Sequence, residues 1–318
     1  MAKLIIFAAA WLMVCVRPAA AQDFAEWLQQ LEQEAISNRI SPEVVHSALD
    51  YMVPDQQVVE LDQKQPETTV TFEHYLHHVA SAERIAEGRR LLSDNEDQLD
   101  EIADRYGVQP QIIVALWGIE SSFGADSGHF SIVDSLATLA YEGRRADFFR
   151  GELFDALRIL EAEKIEPSEL RGSWAGAMGQ CQFMPSTYLR YAVDYDQNGK
   201  RDIWESRTDV WASIANYLAS EGWSPDLTWG REVELEYPIP ADEIGLEHTL
   251  LLEDWGKKGV RSADGLPLPQ KHLMASLIQP DGSDGRSFLV YDNYRALIRW
   301  NRSTYFATAV GLMADRIK

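Results

Sequence analysis

Pro110-Gln111-Ile112-Ile113-Val114-Ala115-Leu116-Trp117-Gly118-Ile119-Glu120-Ser121-Ser122-Phe123-Gly124 is the stretch from which the fold reads outward. Proline at the first turn of a helix costs nothing, because the N–H it lacks would have no partner there. Ile112, Leu116 and Ile119, joined by Ile113 and Ala115, make an apolar stripe broad enough to predict a buried helix, and Gly124 is expected to stop it. Glu120 then falls in the last helical turn, between Trp117 and Phe123. The partial negative charge at a helix C-terminus opposes a carboxylate, and aromatic surface opposes its ionised form by desolvation. Both effects raise a pKa toward the value a general acid needs near neutral pH. Position alone also fits an ordinary solvent-facing glutamate that ends a helix, so both readings stay open here.

Upstream of this helix, Phe24 to about Tyr106 follows a helical pattern: Phe24, Trp27, Leu28 and Leu31 sit at helical spacing, and Leu91, Leu99, Ile102 and Tyr106 continue it. Ser41-Pro42 opens a helix, while Pro54 and Pro66 punctuate the run. From Pro110 to Trp223 the chain stays mostly helical but gathers glycines in clusters, which suits loops brought close to a ligand. Val233-Glu234-Leu235-Glu236-Tyr237 then alternates like a half-buried strand ending at Pro238 and Pro240. Ala275–Gln279 and Ser287–Tyr291 flank Pro280-Asp281-Gly282-Ser283-Asp284-Gly285, the pattern of a hairpin with a turn-rich loop. Ser303–Ile317 is again helical, with Phe306, Val310, Met313 and Ile317 on one face. A mainly α protein with one small antiparallel β insertion is expected.

The N-terminus reads as an export signal. Lys3 supplies the positive start, Leu4–Val14 the apolar run, and Ala19-Ala20-Ala21 the small residues of a cleavage site. The run is too short for a stable membrane-spanning helix. Val14 is a poor neighbour for lipidation of Cys15, so a soluble chain starting near Gln22 is expected. The formal charge is −21, and losing Lys3 and Arg17 makes it more negative. Such a chain is a poor partner for nucleic acid or anionic lipid, which demand clustered Lys and Arg. Beyond Cys15 only Cys181 remains, so no internal disulfide is available and apolar cores must hold the fold. No internal repeat is present.

Glu120-Ser121-Ser122-Phe123-Gly124 and Gly176-Ala177-Met178-Gly179-Gln180-Cys181-Gln182-Phe183-Met184-Pro185-Ser186 together resemble the lytic murein transglycosylase B family. The resemblance extends to Tyr106-Gly107-Val108, Thr138-Leu139-Ala140-Tyr141, Trp204, Asn216-Tyr217-Leu218, Gly222-Trp223 and Trp300-Asn301-Arg302-Ser303, in the family's order. It implies a lysozyme-like catalytic core that cleaves the bond between N-acetylmuramic acid and N-acetylglucosamine without consuming water. Glu120 matches the single acid/base of such enzymes, which protonates the leaving oxygen and then takes the proton of the C6 hydroxyl as a 1,6-anhydromuramyl end forms. The substrate's own N-acetyl group replaces the second carboxylate of ordinary retaining glycosidases. Asp126 and Asp134 follow closely enough to be considered for that missing role, though each also fits a turn or a helix cap.

By motif position, Ser173, Gln182 and Asn301 correspond to polar residues of the family's active site, and Phe183 to its aromatic neighbour. Trp300 stands where an aromatic residue, usually Tyr, is expected, and Tyr141 is assigned to the same wall. Cys181 departs from the residue types of this loop and reads as a small filler, since no basic neighbour supports a thiolate. The expected organisation is a signal peptide at 1–21, a helical domain at 22–105 completed by 303–318, the lysozyme-like core that the resemblance implies, with its EF-hand-like loop, at 106–229, and a small β domain with the return to the site at 230–302.

Asp194-Tyr195-Asp196-Gln197-Asn198-Gly199-Lys200-Arg201-Asp202-Ile203-Trp204-Glu205 meets the pattern D-x-[DN]-x-[DN]-G-x5-E of an EF-hand loop. Asp194, Asp196 and Asn198 would converge around the turn at Gly199, the Lys200 carbonyl would point inward, Asp202 would act through water and Glu205 would close the shell. A structural Ca²⁺ is therefore expected, against the alternative of an acidic turn without metal. No organic cofactor is called for. The expected partner is the glycan strand of peptidoglycan, met by a periplasmic monomer. A water-using muramidase and a catalytically silent, calcium-dependent wall-binding protein are the competing readings.

Overall fold

The computed structural model describes residues 23–64, 70–142 and 144–318. The export signal, Cys15 and Pro66 lie outside the described residues. Six helices cover the first third: α1 (Phe24–Ser37), α2 (Pro42–Leu49), α3 (Gln56–Gln63), α4 (Phe72–Val79), α5 (Ala82–Asp94) and α6 (Glu96–Tyr106). Their starts are written in short-range chemistry. The hydroxyls of Ser41, Thr71 and Ser81 and the carboxylate of Asp55 each accept a free amide of the first turn. Gly107, at φ 69°, ends α6 in the left-handed conformation.

The central helix is α7 (Pro110–Ser121), in which Ile112 through Gly118 are all buried. A helix apolar on every side belongs inside a bundle. It is followed by α8 (Ile132–Tyr141), α9 (Ala146–Glu163), α10 (Pro185–Tyr191) and α11 (Arg207–Ser220), and by α14 (Thr304–Ile317) at the end of the chain. The last helix packs along α7. Its Phe306, Val310, Met313 and Ile317 are all buried, as the sequence predicts. A two-stranded ribbon, β1 (Phe130–Ser131) with β2 (Arg171–Gly172), joins the loops beside α7.

The β unit holds β3 (Gly230–Leu235), β4 (Leu250–Leu251), β5 (Val260–Ser262), β6 (Met274–Ile278) and β7 (Ser287–Val290), with α12 (Leu252–Lys257) between β4 and β5 and α13 (Asp292–Trp300) after β7. All pairs are antiparallel, in the order β4-β6-β7-β3-β5. The hairpin read from residues 275–291 is β6–β7, with Ile278 opposite Phe288. Its side chains alternate between two cores. Ile278, Phe288 and Val290 join the main helical cluster, whereas Ala275, Leu277, Leu289 and Tyr291 join a second cluster around Trp255. Burial on both faces explains why these strands are almost wholly apolar.

Two local expectations shift. The strand expected at 233–237 runs from Gly230 to Leu235, because pairing with β7 begins at Gly230 and Tyr237 is exposed. The stop expected at Gly124 comes earlier: α7 ends at Ser121, and Ser122, Phe123 and Gly124 are all left-handed, at φ 50°, 61° and 86°. That turn drives the Phe123 ring back onto Gly118, where a Cβ would come within 2.5 Å of it.

Gly311 on α14 is a tighter case. An added Cβ would lie 2.2 Å from the fully buried Trp229 ring, whose Nε1 donates to Asp315 Oδ2 at 3.0 Å. Gly311→Ala is expected to destabilise the protein by about 1–3 kcal/mol, since a ring held on both sides cannot yield cheaply. A urea titration reads this as a lower midpoint at unchanged slope.

Candidate active site

Glu120 occupies the last turn of α7, half-buried, where the helix's unsatisfied carbonyls gather. The indole Nε1 of Trp300, at the end of α13, donates to its Oε1 at 2.6 Å. Burial raises the Glu120 pKa to about 7, and the Trp300 hydrogen bond pulls the other way. At neutral pH the group therefore exists in both protonation states, so it can give a proton in one step and take one in the next. Indole donates and never accepts. Trp300 thus occupies Oε1 and leaves Oε2 as the oxygen that carries the exchangeable proton.

Long-range packing fixes Trp300. Its ring lies 5.2 Å from Phe183 and 4.7 Å, edge to face, from Tyr217 of α11. Phe183 itself is only 2 % exposed, so it has no face to offer a pyranose. Its expected sugar contact is corrected to support of Trp300, which is the more accessible ring of that wall. Replacing Trp300 with Phe keeps the packing and removes the donor. Because that hydrogen bond holds the Glu120 pKa down, Trp300→Phe is expected to move the basic limb of the pH–rate profile upward. An unmoved limb with a reduced rate would instead mark Trp300 as a packing residue only.

The loop after α9 carries the expected polar residues. Ser173 and Ala177 close a tight turn: Ser173 N donates to Ala177 O at 2.7 Å, and Ala177 N donates to Ser173 Oγ at 3.0 Å. Met178 and Phe183 exchange backbone hydrogen bonds, forming a hairpin with Gln182 near its tip at φ 50°. The Gln182 amide nitrogen donates to Ser127 O at 3.0 Å and Gly179 O at 2.8 Å. Its side chain is thereby oriented with Oε1 left as an acceptor. Gln180 bolts this loop to the Glu120 turn, because its Oε1 accepts Trp117 Nε1 at 2.8 Å. Gly124 lies flat against that amide; a Cβ would sit 2.3 Å from Gln180 Oε1, and φ 86° disfavours one as well.

The remaining expected residues divide. Asn301 follows Trp300, is exposed, and accepts Ser303 N at 3.0 Å through Oδ1. Tyr141 does not stand with Trp300: at the far end of α8 its ring packs on Phe24 and Trp27 of α1, at 5.0 and 5.4 Å. The Thr138–Tyr141 motif is accounted for by inter-helix packing. Cys181 is fully buried, and burial together with the charges of Glu120 and Asp209 pushes its thiol up, consistent with an inert filler. Asp134, in the first turn of α8, is raised chiefly by burial and by the charge of Asp55, against the lowering effects of Ser131 and Arg171, with no contribution from Glu120. Neither it nor Asp126 contributes to the shift of Glu120.

Tyr75 was not singled out from the sequence. Its hydroxyl is pushed up to about 12, first by burial and then by the negative charge of Glu120, which puts it within electrostatic reach of the acid. The β6–β7 loop anchors that helix, since Asp281 accepts Phe72 N at 2.7 Å and also pairs with Tyr305. No local motif marks Tyr75, because the helix that carries it is anchored by Asp281, 209 residues from Phe72.

The acidic loop differs from its pattern. Among the described residues, ligand oxygens of Asp194, Asp196 and Asp209 lie within 4.8 Å of one another. Asp202 turns its Oδ1 to the amides of Trp204 and Glu205, and Glu205 is exposed outside the cluster. The reason is geometric. The chain makes an extra turn before α11, so the third carboxylate of the cluster comes from that helix's first turn, four residues later than the position the pattern reserves for Glu205. Asp194 also accepts the amides of Asn198 and Gly199, and Asn198 Oδ1 accepts Lys200 N, so the loop is wound tightly around this corner. Three converging carboxylates, one of them fully buried, repel each other and suit a hard cation bound through oxygen.

The transglycosylase SLT domain family model matches residues 23–315. Membrane-bound lytic murein transglycosylase B of Escherichia coli (strain K12) is 32 % identical over 247 residues, covering 76 % of this chain and 66 % of that protein. SltB3 from Pseudomonas aeruginosa, solved in complex with NAG-anhNAM-pentapeptide and with NAG-NAM-pentapeptide, is 41 % identical, with TM-scores of 0.88 and 0.89. Each match covers 92 % of this chain and 79 % of the other. The E. coli lytic transglycosylase Slt35 in complex with calcium is 29 % identical over 91 % of this chain and 92 % of its own, with a TM-score of 0.78.

Proposed function

This chain belongs to the transglycosylase SLT domain family, and from that premise we propose that it cleaves peptidoglycan glycan strands between N-acetylmuramic acid and N-acetylglucosamine, leaving 1,6-anhydromuramyl ends. The observation that carries the reading is Glu120: a half-buried carboxyl poised near neutrality, held at one oxygen by a donor-only partner. Protonated Glu120 gives its proton to the departing glycosidic oxygen while the muramic acid's acetamide oxygen attacks C1. Ionised Glu120 then takes the proton of the C6 hydroxyl as O6 displaces the acetamide from C1. The proton count closes without water, and the same oxygen of Glu120 serves both steps. A single carboxylate suffices for this sequence, in keeping with the absence of any second carboxylate among the causes of its shift.

Ser173, Gln182 and Asn301 are the polar groups for sugar hydroxyls and the acetamide, with the Trp300 ring as the apolar wall. The NAG-anhNAM-pentapeptide bound to SltB3 supports this ligand class. Asp194, Asp196 and Asp209 hold a Ca²⁺ that ties the acidic loop to α11, a reading supported by the calcium complex of Slt35. Among the described residues no helix is long and apolar enough to cross a membrane. The leader-like residues 1–21 support an exported enzyme acting in the periplasm. Mass spectrometry of digested peptidoglycan tests the activity: anhydro ends are one water lighter than hydrolysed ends. Digests with only reducing muramic acid ends would replace this reading with a water-using muramidase.

A further inference from the structure

Glu120 lies next to the residue that ends α7, and beyond it the chain turns through Ser122, Phe123 and Gly124, all left-handed. In a continuing helix the Gly124 amide would donate to the Glu120 carbonyl; here it donates to Ser121 Oγ at 3.0 Å. The orientation of the acid therefore depends on what holds this turn. A serine and a phenylalanine at positive φ crowd their Cβ atoms against the backbone, so the turn does not hold itself.

Two contacts hold it. The Phe123 ring is one, set edge to face on Trp117 at 5.5 Å. The other is Arg84 of α5, whose Nη2 donates to Ser122 Oγ at 2.8 Å and whose Nη1 donates to the Val79 carbonyl at 2.7 Å. Val79 is the last residue of α4, where carbonyls lack helical donors and a cation is favoured. Gly88, one turn along α5 from Arg84, would place a Cβ 3.4 Å from the Phe123 ring, so the same face of α5 lies along the turn. One planar guanidinium thus ties the turn after Glu120 to the end of α4, the helix that carries Tyr75.

We propose that Arg84 is a positioning residue for strand cleavage, fixing the turn after α7 so that Glu120 meets the scissile oxygen at a productive distance and angle. The inference rests on the proposed reaction and extends it from the acid to the contact that aims the acid. Arg84 does not act through its charge: the causes of the Glu120 shift are burial and Trp300, and Arg84 is not among them. Aim alone is sufficient, since a displacement of about 1 Å at a reacting group costs about 10²-fold in rate.

A mutant cycle on Arg84 and Ser122 tests it, read as initial rates of anhydro-end formation on soluble peptidoglycan strands. Arg84→Met keeps the aliphatic stem and removes both donors. It is expected to lower kcat about 10–100-fold while KM stays within about twofold, the mark of an interaction that counts in the transition state. Ser122→Ala removes only the acceptor and should lower kcat as well; combined with Arg84→Met it should add nothing further. Arg84→Lys keeps the charge without the planar fork and should recover little of the loss. Gly311→Ala is the reference for plain instability: assayed below its midpoint, it should keep the wild-type kcat. Unchanged kcat in Ser122→Ala, losses that multiply in the double variant, full recovery with Lys, or an equal loss in Gly311→Ala each overturn the proposal. Should Arg84→Met fail to fold, Ser122→Ala alone decides it. If the wild type releases reducing ends, the proposed reaction fails, and the cycle is scored on those ends, because Glu120 is the acid in either reaction.

Discussion

Glu120→Gln is expected to abolish strand cleavage while making the protein more stable at pH 8. The rate loss should exceed about 10³-fold, because one residue serves as acid and then as base and each role contributes roughly 10²–10⁴. Stability follows from the pKa near 7 against an unperturbed 4.5. Below pH 4.5 the carboxyl is protonated in both folded and unfolded chains, so substitution changes little. Between 4.5 and 7 the unfolded chain ionises while the folded one stays protonated, and the wild type loses stability as pH rises. Above 7 the full cost of holding a charge there applies, up to about 3 kcal/mol. Glutamine keeps the shape and can still accept the Trp300 N–H, but it never ionises. Thermal midpoints for the two proteins should therefore coincide at pH 4 and separate by pH 8, with the variant higher. Equal midpoints at both pH values would mean that Glu120 is an ordinary solvated carboxylate, and the assigned acid/base role would lose its physical basis.

Asp209→Ala carries the second large effect. The side chain is fully buried in the first turn of α11, and its two oxygens accept Tyr195 N and Asp202 N, each at 2.9 Å. Truncation strands two amides at about 1–3 kcal/mol each and opens the carboxylate cluster. Asp209→Asn is the sharper probe, since it preserves much of the shape while removing the charge. Saturating calcium should raise the wild-type midpoint relative to chelator, as expected for a ligand that binds only the folded chain. That shift should vanish in Asp209→Asn and persist in Glu205→Gln. The opposite pattern would restore Glu205 as the closing ligand and remove Asp209 from the site.

These two residues mark different depths of legibility. The position of Glu120 was readable because what sets it is local: the proline start, the apolar stripe and the aromatic neighbours all lie within fifteen residues. The acidic loop was readable as a loop, with Gly199 at φ 92° permitting its turn, yet the third carboxylate of its cluster is Asp209 and not Glu205. A spacing rule assumes a helix that begins at once, whereas here an additional turn capped by Asp202 intervenes. Tyr141 failed differently. Its motif is real, but an aromatic at a helix end packs wherever a partner helix supplies rings, and α1 supplied Phe24 and Trp27.

By itself the sequence determined the helical periodicity, the caps, the hairpin at 275–291 and the strained address of Glu120. Those depend on energies between residues a few positions apart, which the chain carries wherever it goes. Only the tertiary structure decided which donor meets Glu120. Trp300 is 180 residues away, brought there by α13 and held by Phe183 and Tyr217. Tyr75 within electrostatic reach of the acid and Asp209 in the carboxylate cluster were decided the same way. Such contacts are selected by how whole elements fill space against one another, a quantity no window of sequence contains. The acid's position was written locally; its pKa, its charged oxygen and its neighbours were set by packing.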